Sequence, residues 1–188
     1  MEYFRKPVLY MSKFSIEQEI KLLPIHEYAF LKPEEVIFSE EVREICEGNS
    51  CGMYGTSWAC PPAVGSLEEC QKQCLEYEDT FIFTTATQIK NSYDVQGWLE
   101  ARIQHEKLTD KVGEVFRKYT KSPLILSTEG CNVCKSCTYP NEPCRLPEKM
   151  YPATEGYGIL VMEQAQLCGI KYNNGINTVT YFSMIFFN

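Results

Sequence analysis

The stretch Pro123–Pro147, PLILSTEGCNVCKSCTYPNEPCRLP, runs a short apolar segment straight into a cysteine loop. Pro123–Ser127 reads as a strand, and the loop from Gly130 to Pro147 leaves directly from its end. Upstream, Asp94–Tyr119 keeps helical spacing through Trp98, Ala101, Leu108, Val112, Val115, Phe116 and Tyr119. Downstream, the pattern predicts a helix over Thr154–Cys168, a turn at Asn173-Asn174-Gly175 and a final strand at Thr178–Phe187. Further toward the N-terminus, Thr80–Ala86 is β-rich, and Ser66 with Glu69 forms a capping box that opens a helix carrying Leu67, Cys70, Cys74 and Tyr77 on one face. Pro33–Cys46 reads as helical, Ile25–Leu31 as a strand, and Ser15–Leu23 as a short helix stopped by Pro24. Strands alternating with helices predict one α/β or α+β domain over residues 1–188, with 1–23 as an N-terminal extension. A central sheet of about four strands would be flanked by helices, with two cysteine-rich loops at strand ends.

The Gly130–Pro147 loop spaces its thiols C-x2-C-x2-C-x6-C, through Cys131, Cys134, Cys137 and Cys144. Three cysteines two residues apart let a short loop wrap one inorganic cube, each thiolate reaching a different iron. Ferredoxins use the same triple and place a proline beside the fourth cysteine; here the fourth gap is longer and the loop closes Cys144-Arg145-Leu146-Pro147. A four-cysteine zinc site is the main rival. Zinc ribbons place two C-x2-C knuckles on separate hairpins, so the third closely spaced cysteine favours a [4Fe-4S] cluster.

A second loop, CEGNSCGMYGTSWACPPAVG over Cys46–Gly65, is irregular by its Gly and Pro content. Cys46, Cys51 and Cys60 are its candidate ligands. Three thiolates do not close a four-ligand site, and the fourth ligand stays open between Cys70, Cys74, Cys144 and none. Cys70, Cys74 and Cys168 fall on apolar helix faces, where a free cysteine usually packs as a small hydrophobe. Tyr54 and Trp58 could shield a cluster or simply anchor the loop, and Arg145 could offset cluster charge or sit solvated. His26 and His105 show no ligand pairing and read as structural or surface residues. Glu155 reads as a first-turn helix acid.

Ten cysteines weigh against an ordinary cytoplasmic chain, yet the N-terminus lacks a signal-peptide core, so metal binding in a reducing cytoplasm is expected over disulfides. A net charge of −7 argues against nucleic acid as a partner, and no apolar run is long enough for a membrane helix. No P-loop, dinucleotide fingerprint or nucleophile elbow is present.

At Cys46…Cys51…Tyr54-Gly55…Trp58-Ala59-Cys60-Pro61-Pro62 and Gly130-Cys131…Cys134…Cys137…Pro143-Cys144-Arg145-Leu146-Pro147, the chain resembles the predicted metal-binding proteins grouped as domain of unknown function 2284, of anaerobic bacteria and archaea. Glu155-Gly156-Tyr157-Gly158-Ile159 and Asn177-Thr178-Val179 are also similar, so the resemblance runs from about residue 24 to the end. It implies metal, most simply as iron–sulfur, and supplies no reaction. Three functions follow as expectations. One is electron transfer through one or two [4Fe-4S] clusters with a redox partner protein. Another is an enzyme that binds a small substrate at an open iron, and the last is a structural or regulatory zinc protein.

Overall fold

The computed structural model describes the backbone of residues 5–188 and the side chains from residue 13 onward. Its centre is a four-stranded sheet in the order β1-β2-β4-β3, with β1 Tyr28–Leu31, β2 Asp79–Gln88, β3 Leu124–Leu126 and β4 Thr178–Phe187, every neighbouring pair antiparallel. β2 and β4 pair along their full length, from Asp79↔Phe187 to Gln88↔Thr178.

Alternation along these strands builds two cores. One face presents Phe81, Phe83, Ile125, Ile185 and Phe187 to Leu108, Val112, Val115 and Phe116 of α4 (Val95–Tyr119) and to Ile16 and Ile20 of α1 (Arg5–Ile20). The other presents Ile82, Leu126, Met184 and Phe186 to Cys70 and Cys74 of α3 (Leu67–Leu75), to Val161 and Ala165 of α5 (Val161–Leu167), and to Tyr157 and Ile159. Coverage of both faces explains why β4 reads as a nearly unbroken apolar run, unusual for an antiparallel strand. The expected single domain with a four-stranded sheet flanked by helices is thus the observed one. No described helix is long and apolar enough to cross a membrane.

Local signals set several boundaries. Asp94 caps α4 by accepting from the Gly97 amide at 3.1 Å. Ser66 and Glu69 close their capping box at 3.1 and 2.8 Å. α1 ends at Ile20, before the expected Leu23, and residues 1–4, part of the expected extension, lie outside the described residues.

Two expected helices are each broken, and by one shared cause. Pro33–Cys46 divides into a short 3-10 turn (Pro33–Glu35), an extended segment, and α2 (Glu40–Glu47). Thr154–Cys168 divides into a 3-10 turn (Glu155–Tyr157), Gly158 at φ 77°, and α5. The two breaks lie side by side. The Ser39 amide donates to the Gly158 carbonyl at 2.8 Å, and the Leu160 amide to the Ile37 carbonyl at 2.9 Å. The Ile37 amide donates to Gln164 Oε1 at 2.8 Å. These long-range bonds satisfy backbone groups that a continuous helix would have satisfied locally.

A polar chain crosses the first core. The fully buried His105 on α4 bonds Thr85 Oγ1 through Nδ1 at 2.9 Å and Ser183 Oγ through Nε2 at 2.8 Å; Ser183 continues to Thr109 at 3.0 Å and Ser127 at 3.2 Å. Desolvation pushes the imidazole down to about 4 from its ordinary 6.5. The native ring stays neutral where the unfolded chain already takes up a proton, so this stability is complete above pH 6.5 and drains as pH falls toward 4. The loss should reach about 3 kcal/mol. Urea melts at pH 7 and 4.5 should show the decline, and His105→Gln should flatten it; an equal slope in both proteins would refute the assignment.

Candidate metal centre

The sheet edge organises the site. Beyond β3, Ser127 receives residues 152–154 as a short parallel addition: its amide donates to the Pro152 carbonyl at 2.8 Å, and the Thr154 amide donates to its carbonyl at 2.9 Å. The Ala153 amide then donates to the Ala59 carbonyl at 3.0 Å. Three sequence-distant segments are therefore sewn together: the exit of β3, the 152–156 segment and the Trp58-Ala59-Cys60 corner. Both cysteine loops spring from this seam.

Cys46, Cys51 and Cys60 line one cavity of about 480 Å³, together with Tyr54, Met53, Ile45, Thr128, Glu129, Arg102 and Glu155. Cys46 leaves from the last turn of α2, and its Sγ lies 3.7 Å from the Glu155 carbonyl oxygen. Burial pushes the Cys60 thiol up to about 11, and the neighbouring Cys51, Cys46 and Cys131 sulfurs add to the rise. Burial, then Glu155 and Cys51, raise Cys46 in the same way. Crowding by protein around Glu155 holds its carboxyl above the usual range, even though the residue keeps an exposed face toward the cavity. Its carboxylate accepts from Thr154 Oγ1 at 2.9 Å.

The second group, Cys131, Cys134, Cys137 and Cys144, lines a smaller cavity with Trp58, Arg145, Leu146 and Met150. All four are half-buried. Burial raises the Cys131 thiol, and Cys144, Cys134 and Cys137 raise it further. Trp58, read from the sequence as part of the first loop's surroundings, crosses to this second group: its indole N–H donates to the Glu142 carbonyl at 3.1 Å, and its ring meets Tyr139 edge-on at 5.0 Å. Tyr54 stays in the first cavity. Arg145 is held over the loop by donating to the Ser136 carbonyl at 3.0 Å.

The two groups are neighbours. A Cβ placed on Gly130 would lie 3.4 Å from Cys60 Sγ and would collide with the Met53 Sδ-methyl, so the residue before Cys131 rests against Cys60 and only glycine fits without rearrangement. The open question of a fourth thiol for the first loop is narrowed by position. Cys70 and Cys74 are buried in the α3–sheet core, with Cys70 Sγ 3.4 Å from the Val64 carbonyl. Cys144 lines the second cavity, and Cys168 packs near Gln164. All ten cysteines are free thiols.

Sequence reasoning missed three residues here. Arg102 of α4 pairs with Glu129 at 2.6 Å and with Glu106 at 3.1 Å, and donates to the Gly130 carbonyl, so it clamps the start of the second loop. Arg43 of α2 is buried and donates to the Gly65 carbonyl at 2.7 Å and to the Gly156 carbonyl, tying the first loop to residue 155's neighbour. Glu155 faces the first cavity instead of capping a long helix. A lone arginine in a helix carries no spacing signal, so neither arginine was legible.

The donor set fits a metal cofactor. Clustered thiols that raise one another's proton affinity resist ionising alone, and a cation among them reverses that balance. Among the described residues, no three His, Cys, Asp or Glu side chains form a ready-made shell for a metal ion. An antiparallel α+β domain with two thiol-lined cavities at one sheet edge defines a cysteine-rich protein suited to metals. The chain belongs to the predicted metal-binding protein family DUF2284, whose family model matches residues 29–187. No curated protein and no solved structure is a significant match to it.

Proposed function

We propose that the chain carries a [4Fe-4S] cluster on each cysteine loop and passes single electrons between them and a partner protein. The observation that carries this reading is the adjacency of the two loops, where Gly130, the residue before Cys131, lies beside Cys60. Two clusters anchored on abutting residues form a short path for an electron. Cys131, Cys134, Cys137 and Cys144 would hold one cluster, with Trp58 screening it from water and Arg145 offsetting its negative charge. Cys46, Cys51 and Cys60 would hold the other. Zinc is the less favoured occupant, because the third closely spaced cysteine of the second loop departs from the two separate C-x2-C knuckles of a zinc ribbon.

The acidic chain, net −7, suits docking to a basic partner by electrostatic steering, and free thiols in this number suit a reducing compartment such as the cytoplasm. A second reading has its own support. The first cavity, about 480 Å³ and lined by only three cysteines, leaves room for a small substrate at an iron without a fourth thiolate.

Anaerobic purification followed by iron and acid-labile sulfide analysis tests the proposal. About eight irons and eight sulfides per chain are expected for two cubes. Zinc without sulfide would refute it. Dithionite should reduce both clusters, and their proximity should appear as magnetic interaction between the two reduced centres in EPR spectra.

A further inference from the structure

We propose that the Glu155 carboxylate is the fourth protein ligand of the first-loop cluster, an oxygen donor completing the set Cys46, Cys51 and Cys60. This assignment rests on the reading of that loop as an iron–sulfur site.

Position and partners favour Glu155 over Glu129, the other carboxylate in the cavity, and over the remaining cysteines. It lines the same cavity as the three thiols. Its carbonyl oxygen sits 3.7 Å from Cys46 Sγ, while a Cβ on the adjacent Gly156 would lie 3.3 Å from the Pro61 ring and 3.6 Å from the Ala59 carbonyl oxygen. Residue 155 is thus held between the Cys46 and Cys60 ends of the loop. Arg43 fixes this placement through its bond to the Gly156 carbonyl. The other acid in the cavity, Glu129, is engaged by Arg102 at 2.6 Å. Glu155, by contrast, has no ion-pair partner among the described residues, and its carboxylate accepts only from the neighbouring Thr154 hydroxyl. The remaining cysteines face the core or the other cavity.

The chemistry distinguishes this site from its neighbour. A carboxylate carries the same charge as a thiolate but is a harder, weaker donor to iron. One iron of the first cluster would therefore be held less tightly than the other three and would exchange more readily. The second loop, with four thiolates, would lack such an iron. The two clusters would then differ in potential, as ligand identity sets it.

The test compares full-length wild type with Glu155→Ala, Glu155→Gln and Glu155→Cys after anaerobic reconstitution with ferrous iron and sulfide. On mild ferricyanide oxidation, the Ala and Gln variants should lose about one iron per chain in excess of wild type and develop the EPR signal of a three-iron cluster. The Cys variant should retain that iron and shift the first cluster to a lower potential. Circular dichroism confirms folding, which a cavity-facing carboxylate leaves intact. A first-loop cluster with identical spectrum and iron retention in wild type and Glu155→Ala would overturn the ligand assignment alone. Iron near four per chain that is insensitive to Cys60→Ser would overturn the first-loop cluster itself, and the assignment with it.

Discussion

Replacing Cys134 with serine should halve the bound iron, from about eight to about four per chain, with sulfide falling in parallel. Cys134 is the middle member of the C-x2-C-x2-C triple and lines the second cavity with Cys131, Cys137 and Cys144. Serine preserves the size of the side chain, so the loop can still form. Its hydroxyl, however, gives up a proton far less readily than a thiol and binds iron poorly. The remaining three thiolates would then face an iron without its protein ligand, in a half-buried pocket open to water. The first-loop cluster should survive, because its ligands come from another cavity. Cys168→Ser is the matched control: this thiol sits at the end of α5, packed against the core near Gln164, and its loss should leave iron unchanged. Retention of all the iron in Cys134→Ser would remove that cysteine from the ligand set.

Among the substitutions, the largest effect on stability is expected at Gly158. Its backbone sits at φ 77°, a conformation that costs an L-residue about 1 kcal/mol. A methyl group there would also press on the Leu67 Cδ1, on Arg43 Cγ at 3.2 Å and on the Ser39 carbonyl oxygen at 3.5 Å. The Leu67 side chain can swing away. Arg43 cannot do so freely, because its guanidinium is anchored on the Gly65 and Gly156 carbonyls. Gly158→Ala should therefore lower stability by about 2–3 kcal/mol, read from the urea midpoint at constant slope. It should also loosen the segment that carries Glu155. A change below about 0.5 kcal/mol would mean that the turn relaxes without strain.

Much of the scaffold was legible because its signals are local. The run TVTYFSMIFF coincides with β4, residue for residue, since a strand buried on both faces reads as a nearly continuous apolar run. Ser66 announced its helix through a side-chain cap that operates within three residues, and α4 through its apolar spacing. The four close-spaced cysteines of the second loop announced a shared cavity in the same way. The strand order and the antiparallel direction of every pairing were not legible, because each connection is long enough to reach either edge. Two helices were overextended because the bonds that break them join residues more than a hundred positions apart, Ser39 to Gly158 among them. Glu155 was misjudged for the same reason. A glutamate at the start of an apparent helix resembles an ordinary first-turn acid until the short 3-10 turn that ends at Gly158 places it in the cavity shared with Cys46. Trp58 sits two residues before Cys60 in sequence but guards the other thiol group, a placement decided by the seam between Ala59 and Ala153.

The sheet packed on both sides has one more implication. Hydrophobic weight lies in two layers that include none of the seven loop cysteines, so the core can pack without inorganic matter, unlike small zinc fingers whose folding and loading are a single event. Assembly can then follow synthesis as a separate act, with the nascent cofactor handed to a receptacle that is already built. Oxidative damage would strip the cargo and leave the vessel standing, ready to be refilled.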